Sequence, residues 1–360
     1  MTQQHRPGES DPPAGWARRQ LLKTAGWLGL AWLVGDLENL PQALGGSRSG
    51  MADKARGSIH YRLLGRTGVS VSALGIGGGH LLNTSDEEGI RIVREAIDEG
   101  VTFFDNAWDY YNTRSEQVMG KALEGRRQQV FLMTKMCTHG RGKAVGMLHL
   151  EQSLRHLRTD YLDLWQIHEV GCEDDPDRMF APGGVLEALV EAKRQGKVRF
   201  IGFTGHTDPR IHLAVLQRGF QFDTCQIPLN AFDPAFRSFE TQVLPELIRQ
   251  GIAPIGMKSL CGNAKPIRDG VLTVEEALRY ALSLPVATVV SGIESVATLR
   301  ENLAIVRRFT PMTSDEAQAL RARVASAAAD GRYEFYKTDK LWSCDRREVD
   351  ERFRALEGRS

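Results

Sequence analysis

The chain of 360 residues carries almost no net charge: 46 Lys and Arg stand against 45 Asp and Glu, a formal +1. Such a balance offers no basic field for a polyanion, and no nucleic-acid partner is expected. The five cysteines (Cys137, Cys172, Cys225, Cys261 and Cys344) are scattered without a CxxC pair. That spacing gives neither a metal motif nor a disulfide framework, so no metal is expected and the thiols read as ordinary buried or semi-buried groups. The uncharged run Thr24–Gly35 falls short of the ~20 residues that cross a bilayer as a helix. No G-x-G-x-x-G opens the first strand–helix unit; Gly77-Gly78-Gly79 leads into His80-Leu81-Leu82 rather than a helix start, so the dinucleotide fingerprint of an open sheet is missing.

What is present is alternation. Short β-branched or apolar runs at Ser72–Gly77, Thr102–Asn106, Val130–Lys135, Leu162–His168, Phe200–Thr204, Thr224–Pro228, Ala253–Met257 and Thr288–Ser291 read as strands. Between them Asp86–Glu99, Ser115–Leu123, Leu148–Leu157, Gly184–Arg194, Arg210–Gln217, Glu240–Gln250 and Val274–Leu284 have helical periodicity, and Val296–Val306 follows the last strand. Eight such units predict a parallel sheet closed as a (β/α)8 TIM barrel. His60–Leu64 and Val69–Val71, around Arg66-Thr67-Gly68, predict an N-terminal hairpin across the barrel bottom, and Ser314–Ala329 predicts a C-terminal helical extension. The expected division is 1–50 as export signal and linker, 51–310 as barrel, and 311–360 as C-terminal helix and tail.

In the first segment, Arg18-Arg19-Gln20-Leu21-Leu22-Lys23 precedes the apolar run, and a Gly/Ser/Pro-rich stretch from Pro41 to Gly57 follows. A basic start before a short apolar stretch is the build of an export signal. The paired arginines resemble a twin-arginine signal, with Leu21 where phenylalanine is more usual. This reading predicts a periplasmic or exported protein that uses the twin-arginine machinery. The other reading starts the protein at Met51 and leaves it in the cytoplasm.

Chemistry in such a barrel sits where strands end. Three neighbouring runs end in Asp105, Lys135 and His168, and Tyr110 lies five residues past Asp105. A free phenol, with a pKa near ~10, is a poor acid at neutral pH. An ammonium beside it stabilises the phenolate, a carboxylate orients the ammonium, and an imidazole hydrogen-bonds the same oxygen or the substrate. The set is therefore expected to act as a tuned general acid beside a carbonyl.

Phe104-Asp105-Asn106-Ala107-Trp108-Asp109-Tyr110, followed by Ser115-Glu116, resembles the F-D-T-A-x-x-Y…S-E signature of the aldo/keto reductases. Asn106 replaces the usual Thr, and Tyr111 a usual Gly. Phe131 to Lys135 and Asp163 to His168 are similar to the family's Lys and His motifs, and the likeness runs from about Tyr61 to Phe309. It implies Asp105, Tyr110, Lys135 and His168 as the catalytic tetrad. It further places Thr204 and Gln226 at the nicotinamide carboxamide, though Gly205 stands where an asparagine is usual. Met257 falls at the nicotinamide ring, and Lys258, Ser259, Leu260 and Gly262 at the pyrophosphate. Gly292, Ser295 and Thr298 fall near the adenosine phosphate, Glu301 and Asn302 near adenine.

The implied activity is reduction of an aldehyde or ketone to an alcohol, or the reverse, with NADP as cofactor and NAD as the other choice. A sensor or regulatory subunit that binds nicotinamide with little turnover is the alternative; steady cofactor oxidation over a panel of aldehydes separates the two. Trp108, Tyr111, His139 and Trp165 are expected to line the substrate pocket, with Tyr333, Phe335 and Tyr336 of the tail over its mouth.

Overall fold

The structure, a computed structural model, describes residues 58–137 and 141–339. Strands β1 (Tyr61–Leu63) and β2 (Ser70–Ser72) form the hairpin. The strands β3 (Leu74–Gly77), β4 (Phe103–Asp105), β5 (Phe131–Met136), β6 (Leu162–Ile167), β7 (Val198–Thr204), β8 (Thr224–Pro228), β9 (Ala253–Met257) and β10 (Thr288–Gly292) follow in order. These eight are parallel, and β10 returns to β3 to close the barrel. The fold is a (β/α)8 TIM barrel. Interleaved are α1 (Asp86–Asp98), α2 (Arg114–Ala122), α3 (Lys143–His156), α4 (Asp175–Phe180), α5 (Val185–Arg194) and α6 (Pro209–Gln217). Then come α7 (Phe239–Gln242), α8 (Leu244–Gln250), α9 (Lys265–Arg268), α10 (Val274–Ser283), α11 (Val296–Arg307), α12 (Ser314–Ala328) and α13 (Phe335–Thr338).

Several boundaries depart from the sequence reading, among them the start of α3, at Lys143 rather than Leu148. The expected first strand divides: Ser72 pairs with Tyr61 in the hairpin, and the barrel strand starts at Leu74. The single helix expected over Glu240–Gln250 becomes α7 and α8, because Pro245 sits in the first turn of α8, where a missing amide costs nothing. The short helices α4 and α9 occupy stretches read as loops.

The strand period of two sorts the core into shells. Phe103, Phe131, Met133, Leu164, Ala253 and Ile255 point inward and pack beneath Leu64 and Val71 of the hairpin. Phe104, Leu132, Trp165, Ile167, Phe203 and Ile227 point outward against the helices. The extension caps one side: Leu320, Val324 and Ala328 of α12 pack with Leu272, Ala277 and Tyr280. Thr313 starts α12 with a capping box to Glu316, satisfying two amides that a helix start leaves open.

The tail is anchored by charge. Lys337, wholly buried, lies 2.7 Å from Asp233 and 2.9 Å from Glu334. Glu334 also accepts from Asn230 and from Tyr336. Among the described residues, no helix is long and apolar enough to cross a membrane.

Candidate active site

Inward alternation carries Asp105, Lys135, Gln166, Thr204, Gln226 and Met257 to the C-terminal end of the barrel, with His168 one residue past β6. Lys135 Nζ donates to Asp105 Oδ1, to the carbonyl of Asn106 at 2.8 Å and to the Tyr110 hydroxyl at 3.3 Å. The other carboxylate oxygen of Asp105 accepts from Gln226 Nε2 at 2.7 Å. The His168 ring meets the Tyr110 ring edge-on, 5.7 Å between centroids. The four residues proposed from the sequence are thus in one cluster.

The loop that carries Tyr110 is held from below. Asn106 Oδ1 accepts from the Ala107 amide, Ser115 donates to the carbonyl of Gly78, and buried Glu116 accepts from Thr134 at 2.6 Å. A side chain at Gly78 would press on Asn106 and Ser115, each 2.8 Å from its Cβ position. Tyr111, Asn112 and Thr113 all take left-handed φ values of 52°, 53° and 71°. The usual glycine after Tyr110 meets this bend freely; here Tyr111 makes it, with its hydroxyl donating to Asn83 Oδ1 and lying 3.3 Å from the carbonyl oxygen of Gly79.

The electrostatics differ from the sequence expectation in one respect. Burial, and then the charges of Asp105, Asp109 and Glu169, push the Tyr110 phenol well above its usual range. Asp105 already neutralises Lys135, so the ammonium does not set the sign. The phenol therefore stays protonated at neutral pH. Burial alone would raise Asp109, but the His168 ring beside it outweighs that and holds the carboxyl well below the carboxylate range. Burial and Lys258 keep His206 well below its usual range, hence neutral.

Four groups here were not singled out from sequence. Asp109 Oδ1 lies 3.2 Å from His168 Nδ1. His206 sits 6.3 Å from both His168 and Tyr336 by ring centroid. Arg141 donates to the carbonyls of His168 and Glu169, each at 2.7 Å, while gripping Asp175 with two nitrogens. Cys137, buried, follows β5. His206 had a legible signal, two residues beyond a strand end; Arg141 had none.

The expected pocket lining fares unevenly. Trp165 is fully buried in the outer shell, since it stands one residue out of step with inward Gln166 and His168. Trp108 turns to α3, stacking on His149 at 3.8 Å and donating to Gln152. Tyr111 remains at the rim, 40% exposed. His139 lies outside the described residues. The tail does reach the mouth: Tyr336 is buried beside Asn230, and Phe335 packs against Gly262.

The cofactor positions give a test of fit. Thr204 and Gln226 are direct register partners on β7 and β8. Thr204 Oγ1 and Gln226 Oε1 are buried, and neither has a hydrogen-bond partner among the described residues. Buried polar atoms are normally satisfied, and a hydroxyl beside an amide oxygen suits a carboxamide. Met257 and Ser259 are buried, and Lys258 bends through φ 58° between them. Ser295 caps α11, accepting from the Thr298 amide at 3.1 Å, and its hydroxyl lies 3.0 Å from that of Thr298. Asn302 donates to Ser291 from a buried position, while its Oδ1 has no partner among the described residues. Glu301 is exposed, on a cleft of about 660 Å³ between α10, α11 and α12. Gly292 packs beneath the His80 ring, which spans to the carbonyl of Gly262 at 3.1 Å. These residues fit a nicotinamide dinucleotide.

Fold and site define an NAD(P)-dependent oxidoreductase on a TIM barrel. The chain belongs to the aldo/keto reductase family, whose family model matches residues 73–264. It is 30% identical to the aldo-keto reductase YhdN of Bacillus subtilis over 56% of this chain and 62% of that protein. It is 26% identical to the L-galactose dehydrogenase of Arabidopsis thaliana over 72% of this chain and 91% of that one. The solved holo form of aldo-keto reductase AKR11C1 from Bacillus halodurans superposes with a TM-score of 0.65 at 27% identity, covering 77% of this chain and 99% of that one.

Proposed function

We propose that the protein reduces an aldehyde or ketone, or oxidises the corresponding alcohol, with Tyr110 as the proton donor. The observation that carries this reading is the hydrogen-bonded chain Tyr110–Lys135–Asp105–Gln226. It joins an acid at the mouth to the residues that would hold a nicotinamide. Bound there, the cofactor supplies the hydride. Tyr110 holds its proton at the hydroxyl oxygen and releases it to the nascent alkoxide, while Lys135 stabilises the phenolate left behind. Asp105 keeps Lys135 in place, and His168 orients the carbonyl oxygen. Thr204 and Gln226 would take the carboxamide, Met257 the ring, and Lys258 with Ser259, Leu260 and Gly262 the pyrophosphate. Tyr110→Phe tests the assignment: turnover with a carbonyl panel should fall by about 10²–10⁴-fold, with cofactor binding unchanged by fluorescence quenching. Near-normal turnover in that variant overturns it.

The preferred cofactor in this reading is NADP. The Val296 amide at the start of α11 donates to the carboxylate of Glu88, and Arg91 stands 3.2 Å from that carboxylate. The hydroxyls of Ser295 and Thr298, 3.0 Å apart at the same helix start, can each donate to a 2′-phosphate, and they support this choice. Residues 1–50 lie outside the described residues; their proposed role is export through the twin-arginine machinery. Changing Arg18 and Arg19 to lysine should then leave the uncut protein in the cytoplasm, and native protein found there starting at Met51 would reject export.

A further inference from the structure

Asp109, Cys137 and His168 stand apart from the rest of the mouth because they offer three different ligand chemistries at one point. One carboxylate oxygen, the thiol sulfur and one ring nitrogen all lie within 4.8 Å of one another. Asp109 Oδ1 and His168 Nδ1 are 3.2 Å apart and buried, yet the pair is not aligned as a hydrogen bond. Cys137 and His168 are each 2% exposed, whereas the Asp109 side chain is 23% exposed.

We propose that these three residues bind a thiophilic divalent cation of the zinc type, which closes the site to substrate. Zinc takes sulfur at ~2.3 Å and nitrogen or oxygen at ~2.0 Å, so tetrahedral ligands stand roughly 3.3–3.6 Å apart. The Asp109–His168 pair at 3.2 Å meets that set, and Cys137 Sγ, within 4.8 Å of both, completes it by side-chain rotation. On binding, the thiol proton leaves to solvent and a sulfur–metal bond forms; nothing is oxidised or reduced. The thiolate and Asp109 carboxylate neutralise the cation's two charges. The nearby cations are already matched, Lys135 by Asp105 and Arg141 by Asp175. Three protein ligands leave a fourth position open, as in exchangeable rather than purely structural sites. Capture of His168 removes it from the carbonyl-orienting role, a consequence that rests on the function proposed above; the binding itself does not.

The full-length reduced protein titrated with cobalt(II) should develop tetrahedral d–d bands and a thiolate-to-cobalt charge-transfer band, saturating at one equivalent. Zinc should erase both. Cys137→Ser and Cys137→Ala, checked for folding by circular dichroism, should lose the charge-transfer band, and Asp109→Asn should weaken binding at least about tenfold. Absence of the bands, or their persistence in a folded Cys137 variant, overturns the proposal. Because the readout is spectroscopic, it stands or falls separately from carbonyl reduction. If the protein does turn over carbonyls, one equivalent of zinc should stop the wild type and spare a folded Cys137 variant.

Discussion

The amide of Val170 donates to the carbonyl of Thr204 at 2.8 Å, and this draws Val170 so close that a side chain on Gly205 would collide with its carbonyl oxygen. The contact gives the reason for glycine one residue past β7: no side chain fits where Gly205 stands, so the asparagine of the family pattern is excluded. His212 Cε1, 2.7 Å from the same Cβ position, closes the other side. Overpacking of a tight core costs ~1–3 kcal/mol. Gly205→Ala should therefore destabilise the fold by that amount, read as a lower denaturant midpoint at unchanged m-value, and an unchanged midpoint would show that the segment yields.

Lys258 supplies a pH limit. Burial lowers its ammonium to about 8, against the opposing pull of Glu169 and Asp105. The charge is present below that pH and lost above it. Affinity for a pyrophosphate-bearing cofactor should fall as pH rises through about 8, and Lys258→Met should bind weakly with a flat profile. A wild-type profile just as flat would remove Lys258 from the phosphate site.

Asp175 supports His168 through Arg141, and the pair is almost wholly buried. Burial raises the Asp175 carboxyl, but Arg141 and the amides of Cys172 and Gly171 together hold it below its ordinary value. A depressed carboxyl stabilises the fold above its unfolded pKa of ~3.9 and loses that contribution as pH falls through the folded value. Asp175→Asn should destabilise by about 3–5 kcal/mol at neutral pH, measured by chemical denaturation. The difference from wild type should narrow on acidification below about pH 4; a constant difference would mean that the charge is not what matters.

The NADP reading is tested at Thr298. Losing a charge-assisted phosphate contact costs ~1.5–3 kcal/mol, so under that reading Thr298→Ala should weaken NADPH at least about tenfold and leave NADH unchanged. Glu294, whose carboxylate accepts from Asn83 at 2.6 Å, is the opposing charge, and Glu294→Gln should favour NADPH further. Tighter NADH than NADPH in the wild type, reversed by Glu294→Gln, would show that the carboxylate governs instead.

Much of this protein was legible in one dimension because strand and helix periods are local. Apolar runs and helical stretches in alternation determined the barrel, and the ionisable residues that end three adjacent runs determined the cluster of Asp105, Tyr110, Lys135 and His168. The same period, applied one residue further, would have turned Trp165 outward. Tertiary structure alone decided what those residues touch. Asp105 accepts from Gln226 across 121 residues of sequence, a contact that exists because β10 returns to β3 and brings all eight strand ends into one ring. Arg141 behind His168, Glu88 at the start of α11 and the tail seated by buried Lys337 have the same origin. A side chain's partners across a closed sheet depend on closure, and no local period encodes it.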